Sequence, residues 1–388
     1  LALLINMVRP GKRFGYQEVI NRFFSDTGIA HGQGTTPPDK SAFLRARRKL
    51  PVEVVSELFE NAVNQATAMA SSAGNVTWKG FRLLAIDGTK KNLTHSPELA
   101  DFYGTPDGAH YPQMLSCALF DVLAKIPLNV IWGSYQASER VMARELIQGL
   151  GPGDLLLLDR GYPGFEFFET MLETKVDFLV RLKDKGMFAS VGEFLDNGRR
   201  DGLVTIDPPA DLVRKRRKDG QPIPDPIQLR VVKVATKGKK SAVFITTLTD
   251  RKKYSLRSLR KLYHLRWEEE EFFKVIKELL EAENFRGKSR QFIDQEIMAI
   301  YLYSLLVRIL MMASAKEHDV PVANLCQQSA YLAVTRFIDK IWFTTTSEEC
   351  EQLYACCLLE ISWQRYKKRE GRSFPRKSKR SYGKWGRR

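Results

Sequence analysis

The chain of 388 residues has few of the residues that cross-link proteins or bind zinc. It contains five cysteines, an odd number, and no Cys-x-x-Cys pair, which argues against a disulfide framework or a structural zinc site. Its five histidines are scattered without the spacing of metal ligands. These shortages fit a protein of a reducing, cytosolic compartment.

The sequence also lacks an apolar run long enough to cross a bilayer. The most apolar stretch, residues 298–312, is 15 residues long and contains Arg308, whereas a spanning helix needs about 20 apolar residues. We therefore expect a buried core helix there and no membrane partner. The chain begins at Leu1 rather than at methionine, with no signal peptide or cleavage-site pattern, which favours a fragment that lacks upstream residues.

Acidic residues are too few to balance the basic ones. The chain has 61 Lys and Arg against 45 Asp and Glu, a net charge of +16, and 44% hydrophobic residues. This hydrophobic content excludes disorder along the whole length. The basic surplus favours a polyanionic partner, either nucleic acid or an acidic membrane surface, over a merely soluble basic protein.

The basic surplus is concentrated in three parts of the chain. Residues 1–75 carry a net +3, residues 183–253 a net +8 and residues 365–388 a net +11, while the remainder carries −6. Opposite a duplex, such groups displace counterions, so we expect binding that weakens steeply with salt. The alternative for the tail is a solubilising, disordered end.

Residues 1–75 are expected to be helical, with an arginine-rich helix in the middle. Thr36-Pro37-Pro38-Asp39 is a helix-start signal, and the segment after it carries Arg45, Arg47 and Arg48. Short helices of this kind suit a helix-turn-helix-like reader of DNA, which makes the three arginines candidate DNA contacts. The alternative is a solvated basic face on an ordinary helical bundle.

Strand and helix patterns alternate in the next part of the chain. Helices are predicted around residues 142–150 and 165–173. Apolar runs predict strands at residues 82–86, 115–120, 128–132, 155–158 and 178–182. This order indicates an α/β fold, a mixed sheet layered with helices.

Residues 183–253 interrupt the alternation, because they are rich in glycine, proline and charge. Two strand-like runs within them indicate an inserted, β-rich subdomain. Strong helical patterning then resumes. The expected organisation is a helical region at 1–75 that is a candidate for DNA binding, the first part of the α/β domain at 76–182, the insertion at 183–253, the end of the α/β domain at 254–312, a helical region at 313–364 and a basic tail at 365–388.

Two aspartates stand at the ends of apolar strands. Asp87 follows the run 82–86, and Asp159 follows the run 155–158. Strand ends in α/β sheets open onto the crevice where ligands bind. Carboxylates there suit hard divalent cations such as Mg²⁺, although aspartate is also common in plain turns.

A helix over residues 263–277 carries a third group of polar residues. At 100° per residue, Tyr263, Arg266, Glu270 and Lys277 fall within an arc of about 60°, next to an apolar stripe. Among the four consecutive glutamates 268–271, only Glu270 shares this arc, while Glu269 points into the apolar stripe for no reason visible in the sequence. The alternative is a solvated acidic helix face with ordinary pairing of the basic residues.

These residues resemble a known family. Tyr263-x2-Arg266-x3-Glu270-x6-Lys277 resembles the Y-R-E-K signature of the insertion sequence 4 family of bacterial DDE transposases. Asp87 in Ile-Asp-Gly-Thr and Asp159 in Leu-Asp-Arg-Gly-Tyr-Pro-Gly resemble the first and second catalytic aspartates of that family. The resemblance covers roughly residues 80–290.

The resemblance implies a ribonuclease-H-like mixed sheet with a β-rich insertion and helical N-terminal and C-terminal regions. It implies that Asp87, Asp159 and Glu270 hold two Mg²⁺ ions, for which Mn²⁺ would substitute. Water would cut a phosphodiester at the transposon end, and the freed 3′-hydroxyl would form a hairpin before insertion. The implied partners are double-stranded DNA, as inverted-repeat ends and target, and a second copy of the chain, in a bacterial cytoplasm at the nucleoid.

Supporting residues follow from matching positions. Arg266, Lys277 and Tyr263 are expected to contact phosphates at the transposon end. Arg160 and Tyr162, which follow Asp159, are candidate DNA contacts or plain turn residues. Relatives that make hairpins can stack a flipped base on an aromatic residue of the insertion, sometimes Trp. This insertion has no Trp, and the substitutes it offers are Phe188, Phe194, Phe244 and Tyr254.

Three functional hypotheses therefore stand. The first is an active cut-and-paste transposase that cleaves transposon ends and transfers them to target DNA. The second is a DNA-binding protein descended from a transposase and no longer catalytic. The third is a metal-dependent nuclease without strand transfer. The presence of all three carboxylates favours the first and third hypotheses.

Overall fold

The fold is built on one mixed β-sheet. The structure, a computed structural model, describes residues 1–8, 10, 15–28, 36–74, 76–183, 187–235, 241–280 and 284–366. The basic tail therefore lies outside the described residues except for its first two. The strands are β1 (Arg82–Asn92), β2 (Gln113–Asp121), β3 (Ile126–Ser134), β4 (Asp154–Leu158), β5 (Asp177–Arg181), β6 (Asp201–Ile206), β7 (Ile227–Ala235) and β8 (Ser241–Thr246).

The strand order across the sheet is β3-β2-β1-β4-β5-β8-β7-β6. Strand β1 lies between β2, which is antiparallel to it, and β4, which is parallel to it, and β5 continues parallel to β4. Three antiparallel strands thus precede two parallel ones that are reached through helices. This arrangement confirms the predicted α/β, ribonuclease-H-like fold class.

The insertion extends the central sheet rather than forming a sheet of its own. Strand β8 pairs antiparallel with β5, with Leu179 opposite Thr246, and β7 and β6 follow outward. This pairing covers the edge of β5, whose backbone groups would otherwise stay unpaired. The strands predicted in the insertion are present, but they join the catalytic sheet.

Helices cover both faces of the sheet and flank it on either side in the described sequence. Before the sheet lie α1 (Ala2–Met7), α2 (Tyr16–Asp26), α3 (Lys40–Lys49) and α4 (Val52–Ser72). Among the strands lie α5 (Pro97–Tyr103), α6 (Glu139–Ile147), α7 (Phe165–Glu173), α8 (Ala189–Asp196) and α9 (Ala210–Lys218). After the sheet lie α10 (Leu256–Leu265), α11 (Trp267–Lys274), a π-helical turn (Val275–Leu279), α12 (Arg290–Glu317), α13 (Gln327–Phe343) and α14 (Ser347–Trp363).

Local signals in the sequence explain where several elements begin. The carboxylate of Asp39 accepts a hydrogen bond from the amide of Ala42 at 3.1 Å and caps α3. The hydroxyl of Ser255 caps α10 in the same way. Strand β4 contains four consecutive leucines, all buried, as expected of a strand with helices on both faces.

The long helix α12 is a core helix. The sequence predicted an apolar stretch of only 15 residues, but the helix has 28 residues and is long and apolar enough to cross a membrane by length and composition, so that expectation is wrong. However, 78% of its most apolar window is buried in the fold. The Arg308 guanidinium donates to the carbonyl of Ala124 at 2.8 Å, and burial lowers the pKa of this arginine to about 10. The predicted buried helix at residues 298–312 is therefore confirmed.

Candidate active site

Strand ends bring the two aspartates together. Strands β1 and β4 pair only as far as Ala85 and Leu157. Beyond that point β1 carries Asp87, and the chain that leaves β4 carries Asp159. Asp159 thus follows the end of its strand, as the sequence predicted, whereas Asp87 lies within β1, which continues to Asn92 in its pairing with β2, so the predicted strand end at Asp87 is wrong. Both carboxylates lie where the parallel pairing of β1 with β4 ends.

The third carboxylate comes from a helical segment that is interrupted within the signature, at Arg266. Helix α10 ends at Leu265 and α11 begins at Trp267, with Arg266 as the residue between them. The amide of Glu269 donates to the carbonyl of Arg266 at 3.2 Å, so the chain makes a tight turn there. This turn places Tyr263 at the end of one helix and Glu270 in the first turn of the next.

Arg266 and Tyr263 link the three carboxylates. The Arg266 guanidinium lies 3.8 Å from the Asp87 carboxylate, measured from Nη1 to Oδ2, and its Nη2 donates to the Glu270 carboxylate. The Tyr263 hydroxyl donates to Oδ1 of Asp159 at 3.4 Å. Two residues of the signature thus contact all three acids, which come from separate parts of the sequence.

Burial dominates the electrostatics of this group. It raises the pKa of Asp87 from 3.8 to about 6; Arg266 lowers this pKa, while the charges of Glu139 and Asp159 raise it further. Burial lowers the pKa of Arg266, but Tyr263 and the carboxylates outweigh it and raise that pKa above its ordinary value. Glu139 packs against Gly88, where a Cβ atom would lie 2.8 Å from its carboxyl carbon. The site therefore holds more acid than one arginine balances.

A cavity of about 330 Å³ opens between these elements. Asp159 and Glu270 line it from two sides. Arg160, Arg181, Tyr263, His264, Arg266 and Trp267 complete the lining. Two acids, three arginines and an indole in one open cavity suit a phosphate backbone with an adjoining base.

The chemical type of the donors suits a hard divalent cation, since carboxylate oxygens are the ligands that Mg²⁺ and Mn²⁺ take in proteins. Asp87, Asp159 and Glu270 are the residues that would hold such an ion. Within the part of the chain that the structure describes, no three acidic, histidine or cysteine side chains are close enough together to hold a metal ion. The Arg266 guanidinium lies between Asp87 and Glu270 and occupies the position of a counterion.

The structure separates the other predicted site residues. Arg160 is exposed and lines the cavity. Tyr162 is buried among core side chains, so its ring does not face a ligand. Lys277 is exposed but lies outside the lining, because the π-helical turn at Val275–Leu279 changes the helical register on which its predicted position depended.

Arg47 requires a correction. Its side chain is only 2% exposed and donates to Oε1 of Gln295 and Oε1 of Glu296, each at 3.0 Å, and to the carbonyl of Phe292. It joins α3 to α12 and cannot contact DNA in this structure. Arg45 and Arg48, on the same helix, are exposed and remain available for DNA.

Sequence reasoning missed Trp267. Its indole is 43% exposed, lines the cavity and donates through Nε1 to the Glu270 carboxylate. The position directly after Arg266 was a signal in the sequence, but the search for an aromatic residue was confined to the insertion. There, Phe194, Phe244 and Tyr254 are buried, and Phe188 is half-buried with its ring 5.7 Å from that of Phe168.

Comparison with known proteins gives a family match over most of the sheet and the site. Residues 78–306 match the transposase DDE domain family. Transposase InsG for insertion sequence element IS4, from Escherichia coli (strain K12), is 25% identical over 288 residues, which is 72% of this chain and 62% of that protein. Putative transposase InsZ from the same organism is 28% identical over 126 residues, 31% of this chain and 42% of that protein.

The chain therefore spans less than two thirds of the length of either curated relative. Among solved structures, the cryo-EM structure of the piggyBac transposase synaptic complex with hairpin DNA is similar with a TM-score of 0.44 and 8% identity. That similarity covers 92% of this chain and 84% of the piggyBac chain.

Proposed function

Because the chain belongs to the transposase DDE domain family, we propose that it is a transposase that cleaves DNA at transposon ends and joins them to target DNA. The family membership confirms the resemblance to the insertion sequence 4 family. The observation that carries the proposal is that Arg266 contacts Asp87 and Glu270, and Tyr263 contacts Asp159, beside an open cavity that Asp159 and Glu270 line.

Membership of this family implies dependence on a divalent cation. We propose two Mg²⁺ ions, with Mn²⁺ as a substitute, held by Asp87, Asp159 and Glu270. When bound, the cations supply Lewis-acid stabilisation of the phosphate and activation of the attacking water. Arg266, which contacts Asp87 and Glu270 and lines the cavity, would be placed to donate to two oxygens of a phosphate.

The basic lining positions the DNA. Arg160 and Arg181 stand on the strand side of the cavity and suit the phosphates on either side of the cleaved bond. Tyr263 holds Asp159 in place through its hydroxyl. Lys277, exposed beyond the cavity, adds a point charge for DNA that extends past the site.

The hairpin route needs an aromatic surface for an unstacked base. Trp267 supplies one from α11, beside Glu270, rather than from the insertion. Stacking on an aromatic side chain stabilises a base by about 1–3 kcal/mol. We therefore propose that a base next to the cleaved bond stacks on this indole while the hairpin forms.

The wider surface supplies the remaining partners. Arg45 and Arg48 on α3 and the basic helix α9 offer exposed charge to double-stranded DNA, both transposon ends and target. We propose a homodimer on paired ends, acting in the bacterial cytoplasm at the nucleoid. Light scattering of the chain with and without end DNA measures the dimer directly.

Cleavage of the correct DNA end tests the function. Sequencing of the DNA that flanks the gene tests for inverted repeats, and a labelled duplex of such a repeat serves as substrate. Glu270→Gln is expected to reduce Mg²⁺-dependent nicking by at least about 10³-fold, since several kcal/mol of charge stabilisation is lost. Glu271→Gln, at an exposed neighbour in the same helix, is the matched control and keeps wild-type nicking.

The outcomes separate the three functional hypotheses. Nicking followed by joining to a target plasmid supports a transposase. Nicking without joining supports a nuclease, and DNA binding without nicking supports an inactive relative. If Glu270→Gln leaves nicking intact, the assignment of the third carboxylate is wrong.

A further inference from the structure

The solvent face of α10 carries cations that the site described above does not use. Arg257, Arg260 and Lys261 are all exposed, and at 100° per residue they fall within an arc of about 100°. These three residues form the basic stripe of α10. The buried residues of the helix, Leu259 and Leu262, lie on its opposite side and pack into the core. The basic stripe therefore lies outside the packing that holds α10 in the fold.

The basic stripe runs toward the cavity. The last turn of α10 contains Tyr263 and His264, which both line the cavity beside Arg266. At 1.5 Å per residue, Arg257 lies about 10 Å from His264 along the helix axis. Each strand of a duplex carries one phosphate per about 3.4 Å of its axis, so this length matches about three phosphates. DNA that leaves the cavity along α10 therefore meets the basic stripe.

An ordinary solvated helix face explains this composition poorly. Acids three or four positions from a basic residue stabilise an exposed helix face, but α10 contains no acidic residue. Arg257 instead has like charges at both spacings, in Arg260 and Lys261, which destabilises a helix. Arg257 also lies in the first turn, where the helix dipole disfavours a cation. The helix therefore keeps an arrangement of charges that its own stability opposes.

Neighbouring elements do not supply the missing acids. Among the residues that the structure describes, no acidic side chain forms an ion pair with the basic stripe. Arg251, a few residues before the helix, does pair, with Asp201 at 3.6 Å. Asp250 accepts hydrogen bonds from the amides of Lys252 and Lys253, at 2.8 and 3.0 Å. The basic stripe thus presents its positive charges to solvent.

We propose that the basic stripe binds the phosphate backbone of the transposon end, on the transposon side of the cleaved bond. This inference rests on the proposed function, since it extends the DNA held at the cavity beyond the reacting phosphate. Regularly spaced phosphates suit a row of cations that has no acids of its own. An enzyme that first cuts an end and then joins it holds the transposon side through both steps, whereas the flanking DNA leaves after cleavage.

Binding of duplexes that extend to one side of the cleaved bond tests the proposal. One duplex extends from the bond only into the transposon, and the other only into the flank. Arg257→Gln with Lys261→Gln, in the full-length chain, is expected to weaken binding of the transposon-side duplex at least about tenfold and to reduce its slope of log affinity against log salt by about 2. Binding of the flank-side duplex is expected to stay at the wild-type level. Lys316→Gln with Lys340→Gln removes the same charge from α12 and α13 and is the matched control, expected to change neither duplex.

Each outcome decides the question. Wild-type affinity and salt slope in the double variant of the basic stripe overturn the proposal, and so does an equal loss on both duplexes or a loss on the flank side alone. An equal loss in the control pair assigns the effect to net charge and also overturns it. If the double variant does not fold, Arg260→Gln takes its place and is expected to reduce the slope by about 1, with an unchanged slope as the contrary result.

Failure of this inference and failure of the proposed function are distinguishable. A wild-type chain that nicks the transposon end, together with a stripe variant that binds the end normally, refutes this inference alone. A wild-type chain that binds the transposon-side duplex through the basic stripe but never nicks it refutes the proposed function alone.

Discussion

Arg47 and Arg266 both hold carboxylates, and their surroundings differ. Arg47 joins α3 to α12 and donates to Gln295, Glu296 and a backbone carbonyl, with Phe292 packed under its guanidinium at 4.3 Å. Arg266 contacts Asp87 and Glu270, but its buried Nε has no hydrogen-bond partner among the described residues. The hydrogen bonds of the Arg47 guanidinium are nearly complete, whereas those of the Arg266 guanidinium are not.

The difference distinguishes a structural site from a functional one. A buried charge that is paired and hydrogen-bonded holds two elements in one arrangement. At the second site, several acids surround one arginine that is incompletely hydrogen-bonded, and the pKa of Asp87 is raised to about 6. Perturbed pKa values of this kind are typical of functional sites. Arginine therefore has a structural role at Arg47 and a functional role at Arg266.

The largest expected effect is on stability at the first site. Arg47→Met leaves the buried carboxylate of Glu296 without its partner and is expected to lower the free energy of unfolding by about 3–5 kcal/mol. Chemical denaturation measures this loss. Arg45→Met, at an exposed arginine of the same helix, is the control and changes stability by less than about 0.5 kcal/mol. An Arg47→Met variant that is as stable as wild type but binds DNA weakly would show that Arg47 is functional rather than structural.

At the second site, removing a charge is expected to stabilise the protein. Because the folded state raises the pKa of Asp87 from 3.8 to about 6, this residue favours folding most below its ordinary pKa, and that contribution is lost as the pH rises to about 6. Asp87→Asn is therefore expected to be more stable than wild type by about 2–3 kcal/mol at neutral pH in EDTA.

The pH profile is the critical measurement for Asp87→Asn. The difference in unfolding free energy between variant and wild type should shrink as the pH falls from 6 and vanish below pH 3.8, where the Asp87 carboxyl group is protonated in both the folded and the unfolded state. Added Mg²⁺ should stabilise only the wild type. A variant less stable than wild type at neutral pH would show that Asp87 serves the fold, like Glu296.

A smaller effect is expected at the aromatic residue of the cavity. Trp267→Ala should weaken hairpin formation by about 1–3 kcal/mol and leave stability nearly unchanged, since the indole is exposed. Trp342, on α13, is 42% exposed and lies outside the cavity lining, so Trp342→Ala is a matched control. Fluorescence of 2-aminopurine at the cleaved end reports base unstacking. If both substitutions weaken hairpin formation equally, Trp267 has no specific role in the site.

The smallest effect is expected on the basic helix α9. Lys215 and Arg217 are exposed in its last turn, and replacing both with Gln should reduce the slope of log affinity against log salt by about 2. The pair Lys316→Gln and Lys340→Gln removes the same charge from α12 and α13 and is expected to leave the slope unchanged. Equal changes in both pairs would indicate attraction by net charge alone.

The sequence was sufficient to predict the elements whose pattern is local. The four leucines before Asp159 and the apolar run before Asp87 indicate buried strands because consecutive apolar residues require cover on both faces. The end of β4 was predicted correctly, whereas β1 continues past Asp87 to Asn92. The two acids then meet through parallel pairing. The spacing in the signature identified Glu270 and Arg266, which the structure places in contact.

Features that depend on distant partners were not predictable. The burial of Arg47 depends on Glu296, 249 residues away, and the pairing of β8 with β5 bridges the whole insertion. A helical wheel with 100° at each residue cannot represent the break at Arg266. It also cannot represent the π-helical turn that changes the position of Lys277. Burial of Glu269 followed from the wheel, but its closeness to Asp87 did not.

The central claim is that Asp87, Asp159 and Glu270 form a cation site that acts on DNA. Anomalous diffraction from crystals of the chain with end DNA, soaked in Mn²⁺, tests it most directly. We expect an anomalous peak between Asp87 and Asp159, with Glu270 and the phosphate beside it. We also expect that the Arg266 guanidinium no longer lies between Asp87 and Glu270. A map with no peak between the two aspartates would contradict the account.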